Sequence, residues 1–101
     1  MITTRRLFVS ILIAVAACSG GDGDSVRGVV IDVQGDITTV DSFTLRLPDG
    51  TDRVFEPADG VLFHGSAPIG HIRDHLRNGE PIDVRFRVLD DGTSIAFAVS
   101  D

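Results

Sequence analysis

The chain has 101 residues, a formal net charge of −6, a single cysteine and 43% apolar residues, enough for one packed core. That length bounds it to one small domain, and a lone cysteine excludes an internal disulfide framework. The acidic balance opposes nucleic-acid binding, which rests on basic groups neutralising phosphates.

Arg5 and Arg6 precede an apolar run from Leu7 to Val15, interrupted only by Ser10 and closed by Ala16-Ala17. Basic, apolar and small parts in that order are the layout of an export signal. The run is roughly 11 residues, well short of the ~20 that a membrane-crossing helix needs. A signal peptide over residues 1–17 is therefore expected. Its last residues and the next, Val15-Ala16-Ala17-Cys18, resemble the lipobox of bacterial lipoproteins. The resemblance implies that the Cys18 thiol is lipidated with diacylglycerol, that cleavage falls just before it, and that Cys18 becomes the mature N-terminus. It also implies a domain on the extracytoplasmic face of a cell membrane or outer membrane, anchored by lipid. Thr4-Arg5-Arg6-Leu7-Phe8-Val9 further resembles a twin-arginine export motif, while the apolar run suits the general secretory route equally. Removing residues 1–17 would take away two of nine arginines and no acidic residue, so the mature charge becomes 7 − 15 = −8.

Residues 18–25 are expected to form the lipidated cysteine and a Gly- and Asp-rich tether. The domain is expected over 26–101. Val29, Ile31 and Val33 share one parity and predict a first strand facing inward through them. Gln34-Gly35-Asp36 signals a turn. Phe43, Leu45 and Leu47 predict a second strand, with a break near Asp41-Ser42 because Ile37 and Val40 fall on opposite parities. Pro48-Asp49-Gly50 predicts a hairpin leading to a third strand at Arg53 to Glu56. Val61-Leu62-Phe63 is too short to assign by period. Ile69, Ile72 and Leu76 form a helical stripe over Pro68 to Asn78, with Ser66 as its N-cap and Asn78-Gly79 as its stop. Ile82, Val84, Phe86 and Val88 predict a fourth strand, and Ile95, Phe97 and Val99 a fifth, joined through Asp90-Asp91-Gly92. Three strands, one helix and two strands resemble the OB-fold, which implies a mainly β, five-stranded barrel with a short helix between strands 3 and 4.

Three constellations could carry chemistry. His64, His71 and His75 lie close in sequence, and His71/His75 at i, i+4 share a helix flank. With His64 or Asp74 they would supply the ligands of a zinc or copper site, against the alternative of solvated side chains. Arg46, Arg85 and Arg87 fall on outward parities and would form an anion- or sugar-binding patch if their strands are neighbours. Ser66 near His64 has no orienting third group and no nucleophile elbow around it. Phe43, Phe86 and Phe97 read as inward, which leaves no exposed row of rings for stacking bases. With no catalytic set, the expected function is a lipid-anchored, non-catalytic binding module. Its expected partners are the membrane, through lipid, and an envelope protein. A zinc- or copper-binding envelope protein is the alternative.

Overall fold

The computed structural model describes residues 23–101, and the expected signal segment and Cys18 lie outside them. Five strands close into a barrel in the order β1-β2-β3-β5-β4. They are β1 (Asp24–Gln34), β2 (Ser42–Arg46), β3 (Asp52–Pro57), β4 (Ile82–Val88) and β5 (Ser94–Ser100). Between β3 and β4 a 3₁₀ turn at Ile69–His71 runs into helix α1, Ile72–Asn78. All pairings are antiparallel except β3 with β5. This is the OB-like barrel that the element order implies.

β1 shapes the barrel because it serves two neighbours. Asp24 to Gly28 pair with β4, and Val29 to Gln34 with β2. The strand starts at Asp24, two residues before the expected start of the domain at Val26, since Asp24 and Ser25 pair opposite Phe86 and Arg85. Its inward parity also differs from the expected one. Gly28 and Val30 are buried, and Val26 and Val33 pack on the core. The register slips between Val30 and Asp32, leaving Ile31 as the extra residue of a bulge. β5 is built the same way. Ser94, Ala96 and Val99 are buried, and the slip opposite Arg85/Phe86 leaves Phe97 as the extra residue. Ile95 and Phe97 are therefore not core residues. Val88 also departs from expectation, at 49% exposed where β4 runs past the core.

The core is Val30, Phe43, Leu45, Phe55, Phe63, Ile72, Ile82, Val84, Phe86, Ala96 and Val99. Phe43 and Phe55 are cross-strand partners stacked at 5.4 Å, and Phe86 meets Phe55 edge-on at 5.2 Å. Such aromatic pairs add about 0.5–1.5 kcal/mol each beyond their buried area. β3 and β5 pair only at Glu56/Ile95 and Pro57/Ala96. At the start of these strands Arg53, on the inward parity of β3, bridges by donating through Nη2 to Ser94 Oγ at 3.2 Å. Its guanidinium lies 4.4 Å from the Phe86 ring centroid, so the charge rests on the π face of the core.

The helix differs from its predicted form in two ways. Ser66 does not cap it: the 3₁₀ turn starts after Pro68 and has no side-chain cap. The preceding loop instead wraps the Phe63 carbonyl, which accepts from the amides of Ser66 at 3.1 Å and Ala67 at 2.9 Å. Its buried face is Ile72 and His75, while Leu76 is 39% exposed. Gly79 ends the helix at φ 73° with its amide on the His75 carbonyl, as expected of an Asn-Gly stop. Arg73 donates from Nη2 to the carbonyls of Asp36, at 2.5 Å, and Thr39, at 2.9 Å. That contact ties α1 to the β1–β2 loop, whose Ile37 is 91% exposed.

The two hairpin turns share one device. Asp49 Oδ1 accepts from the Thr51 hydroxyl at 2.7 Å and amide at 2.9 Å, and Asp91 Oδ1 accepts from the Thr93 amide at 2.9 Å. Gly50 and Gly92 follow at φ 90° and 93°, where a side chain would be strained. These bonds favour the charged carboxylates and hold Asp49 and Asp91 below the ordinary 3.8. A carboxylate lowered on folding adds stability above the unfolded value and loses it as pH falls through the folded one. Thermal melts should therefore drop below pH 3.8, and the Asp49→Asn/Asp91→Asn variant should lose part of that drop. An unchanged acid profile in the variant would remove the turns from the explanation.

Candidate functional site

The three histidines do gather, but around a benzene ring. The Phe63 centroid lies 4.8 Å from His64 and 4.9 Å from His71, both edge-on, and 5.2 Å from His75, which stacks on it. Phe63 is fully buried and bridges to Ala67 and Val99. Two of the imidazoles share Asp101 and the third turns to Asp74. His75, 2% exposed, donates from Nδ1 to the Glu80 carbonyl at 3.1 Å and sets Nε2 3.2 Å from Asp101 Oδ2. His64 Nε2 lies 2.5 Å from Asp101 Oδ1, and His71 Nδ1 lies 3.0 Å from Asp74 Oδ2. Arg77 takes the other Asp74 oxygen at 2.6 Å.

His64, His71 and His75, the expected metal set, thus lie around one ring, with His64 and His75 on the two oxygens of Asp101 and His71 on Asp74. Among the described residues no group of three or more His, Cys, Asp or Glu side chains is placed to hold a metal. The arrangement fastens the loop, α1 and the C-terminal residue to one another. His75, expected on a solvated flank, is a core side chain with an oxygen within reach of each ring nitrogen. Ser66 is exposed, and His64 directs its Nε2 at Asp101 rather than at that hydroxyl.

The arginines divide differently from expectation. Arg46 lies on β2, which pairs with β1 and β3, so β1 stands between it and Arg85 and Arg87 on β4. It forks onto Asp52, with Nε at 2.8 Å from Oδ1 and Nη2 at 3.0 Å from Oδ2. That fork holds the Asp52 carboxyl below its usual range. The expected three-arginine patch therefore reduces to two. Arg85 and Arg87 flank Phe97, their guanidinium carbons 5.4 and 4.7 Å from its centroid. Phe97, expected in the core, is half-buried on the outer face because it is the extra residue of the β5 bulge. Its ring leans on Gly23, where an added Cβ would sit 3.2 Å from Phe97 Cε2 and 2.5 Å from the Phe86 carbonyl oxygen.

Beside this cluster an open groove of about 910 Å³ crosses the outer face of β1, β4 and β5. The cross-strand rows Ser25–Arg85–Ala98 and Arg27–Asp83–Ser100 form its floor, and the loop carrying Leu62 and His64 forms one wall. Arg27 and Asp83 are joined at 2.7 Å. The alternation of β4 signalled Arg85 and Arg87 as outward. Nothing local signalled Phe97, because the slip that turns it out is set by the match of β5 to its neighbour. Fold and site together define a small closed OB-like barrel with an arginine–aromatic cluster on the outer face of β4 and β5. The chain matches no protein-family model, and no curated protein or solved structure shows significant similarity to it.

Proposed function

We propose that this chain is a lipid-anchored, extracytoplasmic binding module without catalytic activity, its barrel held at a membrane surface through Cys18. The observation that carries the reading is Val15-Ala16-Ala17-Cys18 at the end of a basic–apolar–small segment. Residues 19–23 alone separate that cysteine from β1. Five residues reach at most about 17 Å, so a lipid on Cys18 would hold the barrel close to the headgroup layer. Each buried methylene of an acyl chain adds about 0.8 kcal/mol to membrane binding, and two or more chains give a stable anchor. No helix among the described residues is long and apolar enough to cross a membrane.

Fractionation with intact-mass measurement tests the reading. The parent should be found with membranes, begin at Cys18 and carry the added mass of acyl chains. Cys18→Ser should leave the membrane fraction or persist with its signal uncut. A Cys18→Ser protein that has lost its signal and still stays on membranes as firmly as the parent, or a parent beginning at Met1, would overturn it.

A further inference from the structure

Of the seven arginines in the barrel, five are engaged by hydrogen bonds. Arg27 pairs with Asp83, Arg46 with Asp52 and Arg77 with Asp74; Arg53 bonds Ser94, and Arg73 bonds two carbonyls. Arg85 and Arg87 are the exceptions among the described residues. Both are exposed, and their contact is with the face of Phe97. Stacking fixes a guanidinium plane and leaves its N–H fork free for a planar or tetrahedral oxyanion. In a chain this acidic, two neighbouring arginines without carboxylate partners stand out. Alternate residues of one strand lie about 6–7 Å apart, so both forks can close on one anionic group.

We infer that Arg85 and Arg87, held over Phe97, bind the carboxylate or phosphate of an acidic saccharide whose body lies in the adjoining groove. The groove supplies what a polyhydroxylated body needs. Ser25 and Ser100 place hydroxyls on the floor, and the Arg27–Asp83 pair offers donors and an acceptor together. Leu62, 43% exposed on the wall, offers an apolar lip for a sugar's C–H face. The small side chains of Ser25 and Ala98, opposite Arg85 on either side, leave its head unobstructed. The charge of Asp83 is offset by Arg27 at 2.7 Å. The inference rests on reading the barrel as a binding module and is independent of its anchor.

The test is calorimetric titration of the detergent-solubilised full-length protein with a uronic-acid oligosaccharide, a phosphorylated sugar, a neutral oligosaccharide of equal length, and inorganic phosphate. At least one acidic sugar should saturate, and whether it is the carboxylated or the phosphorylated one names the oxyanion. The neutral oligosaccharide and bare phosphate should each bind about 10-fold or more weaker, since each lacks half of the contacts. Arg85→Ala/Arg87→Ala should lose about 10-fold or more. Arg85→Lys/Arg87→Lys, which keeps the charge but not the fork, should also weaken binding. A thermal melt of each variant checks that the barrel is intact, as expected for exposed positions. No saturation by either acidic sugar, an alanine variant that binds like the parent, equal binding of the neutral sugar or bare phosphate, or tighter binding of a single-stranded oligonucleotide would each overturn the inference. A missing acyl mass in the same preparation would defeat the anchoring proposal and leave these titrations standing.

Discussion

Phe63→Ala should remove a large share of the protein's stability. The ring is fully buried, contacts three imidazoles and carries the bridges that tie the loop before α1 to β5. Truncating a core Phe costs about 3–5 kcal/mol. A barrel of this size has roughly 4–12 kcal/mol in total, and no disulfide limits the unfolded chain. The cost falls at the upper end because His75 would lose its stacking partner while still buried. Phe63→Leu keeps the apolar bulk and gives up the aromatic contacts, so about 1–2 kcal/mol is expected. Urea unfolding followed by circular dichroism separates the two. If Phe63→Ala unfolds within about 1 kcal/mol of Phe63→Leu, a range that spans ordinary surface changes, Phe63 is not the hub described. Coupling supplies a second reading. Phe63→Leu and His75→Leu should be non-additive by about 0.5 kcal/mol or more, as for residues in contact.

The elements and their order were legible because each strand alternates and each turn carries its own chemistry. Asp49-Gly50 and Asp91-Gly92 lie where the chain must reverse, and Gly79 ends the helix as read. What was not legible is which side of β1 and β5 faces in. Val29, Ile31 and Val33 look like one inward set, as do Ile95, Phe97 and Val99. In both strands a bulge divides the set: Val33 and Val99 remain inward, while Ile31 and Phe97 are expelled. A bulge is a two-for-one match against a partner strand. Its position depends on where that partner begins, and local composition carries no trace of it.

The same limit decided how much of the site could be read. Outward Arg85 and Arg87 follow from the alternation of β4. Phe97 as their platform does not, since it depends on the β5 slip. Arg46 looked equivalent to them until sheet order placed it beside Asp52. The helical pair His71/His75 was legible as a pair. Its occupation by Phe63 and Asp101 was not: the first sits in an apolar run too short to have a period, and the second is 26 positions from His75 along the chain. A titratable residue read on a helix flank is as readily a core group as a solvated one, and burial of Ile72 and His75 together places His75 in the core.

Gly28→Ala should destabilise the protein although its backbone needs nothing unusual. Gly28 stands where β1 passes from β4 to β2, paired with Ile82 on one side while the next residue pairs with Arg46 on the other. The strand bends there to close the barrel, and the bend brings β2 in. An added Cβ would lie 2.7 Å from the Arg46 carbonyl oxygen and 3.2 Å from both Leu45 Cβ and Leu47 Cδ2. The oxygen belongs to a paired backbone and cannot rotate away, so β1 and β2 must part. At an unstrained site, replacing Gly by Ala stabilises by about 0.4–1 kcal/mol, because the unfolded chain has less freedom to lose. Overpacking costs about 1–3 kcal/mol, which outweighs that gain and reverses the sign. Gly70 is the control. It lies in the 3₁₀ turn, and its added Cβ would meet only Arg73 Nη1 at an ordinary 3.6 Å, so Gly70→Ala should be neutral to stabilising. Gly28→Ala is then expected to lower the urea midpoint while Gly70→Ala leaves it unchanged or raises it, with Gly28→Val falling further than Gly28→Ala. Equal midpoints for Gly28→Ala and Gly70→Ala would mean that the two sheet halves do not meet as closely at Gly28 as the barrel requires.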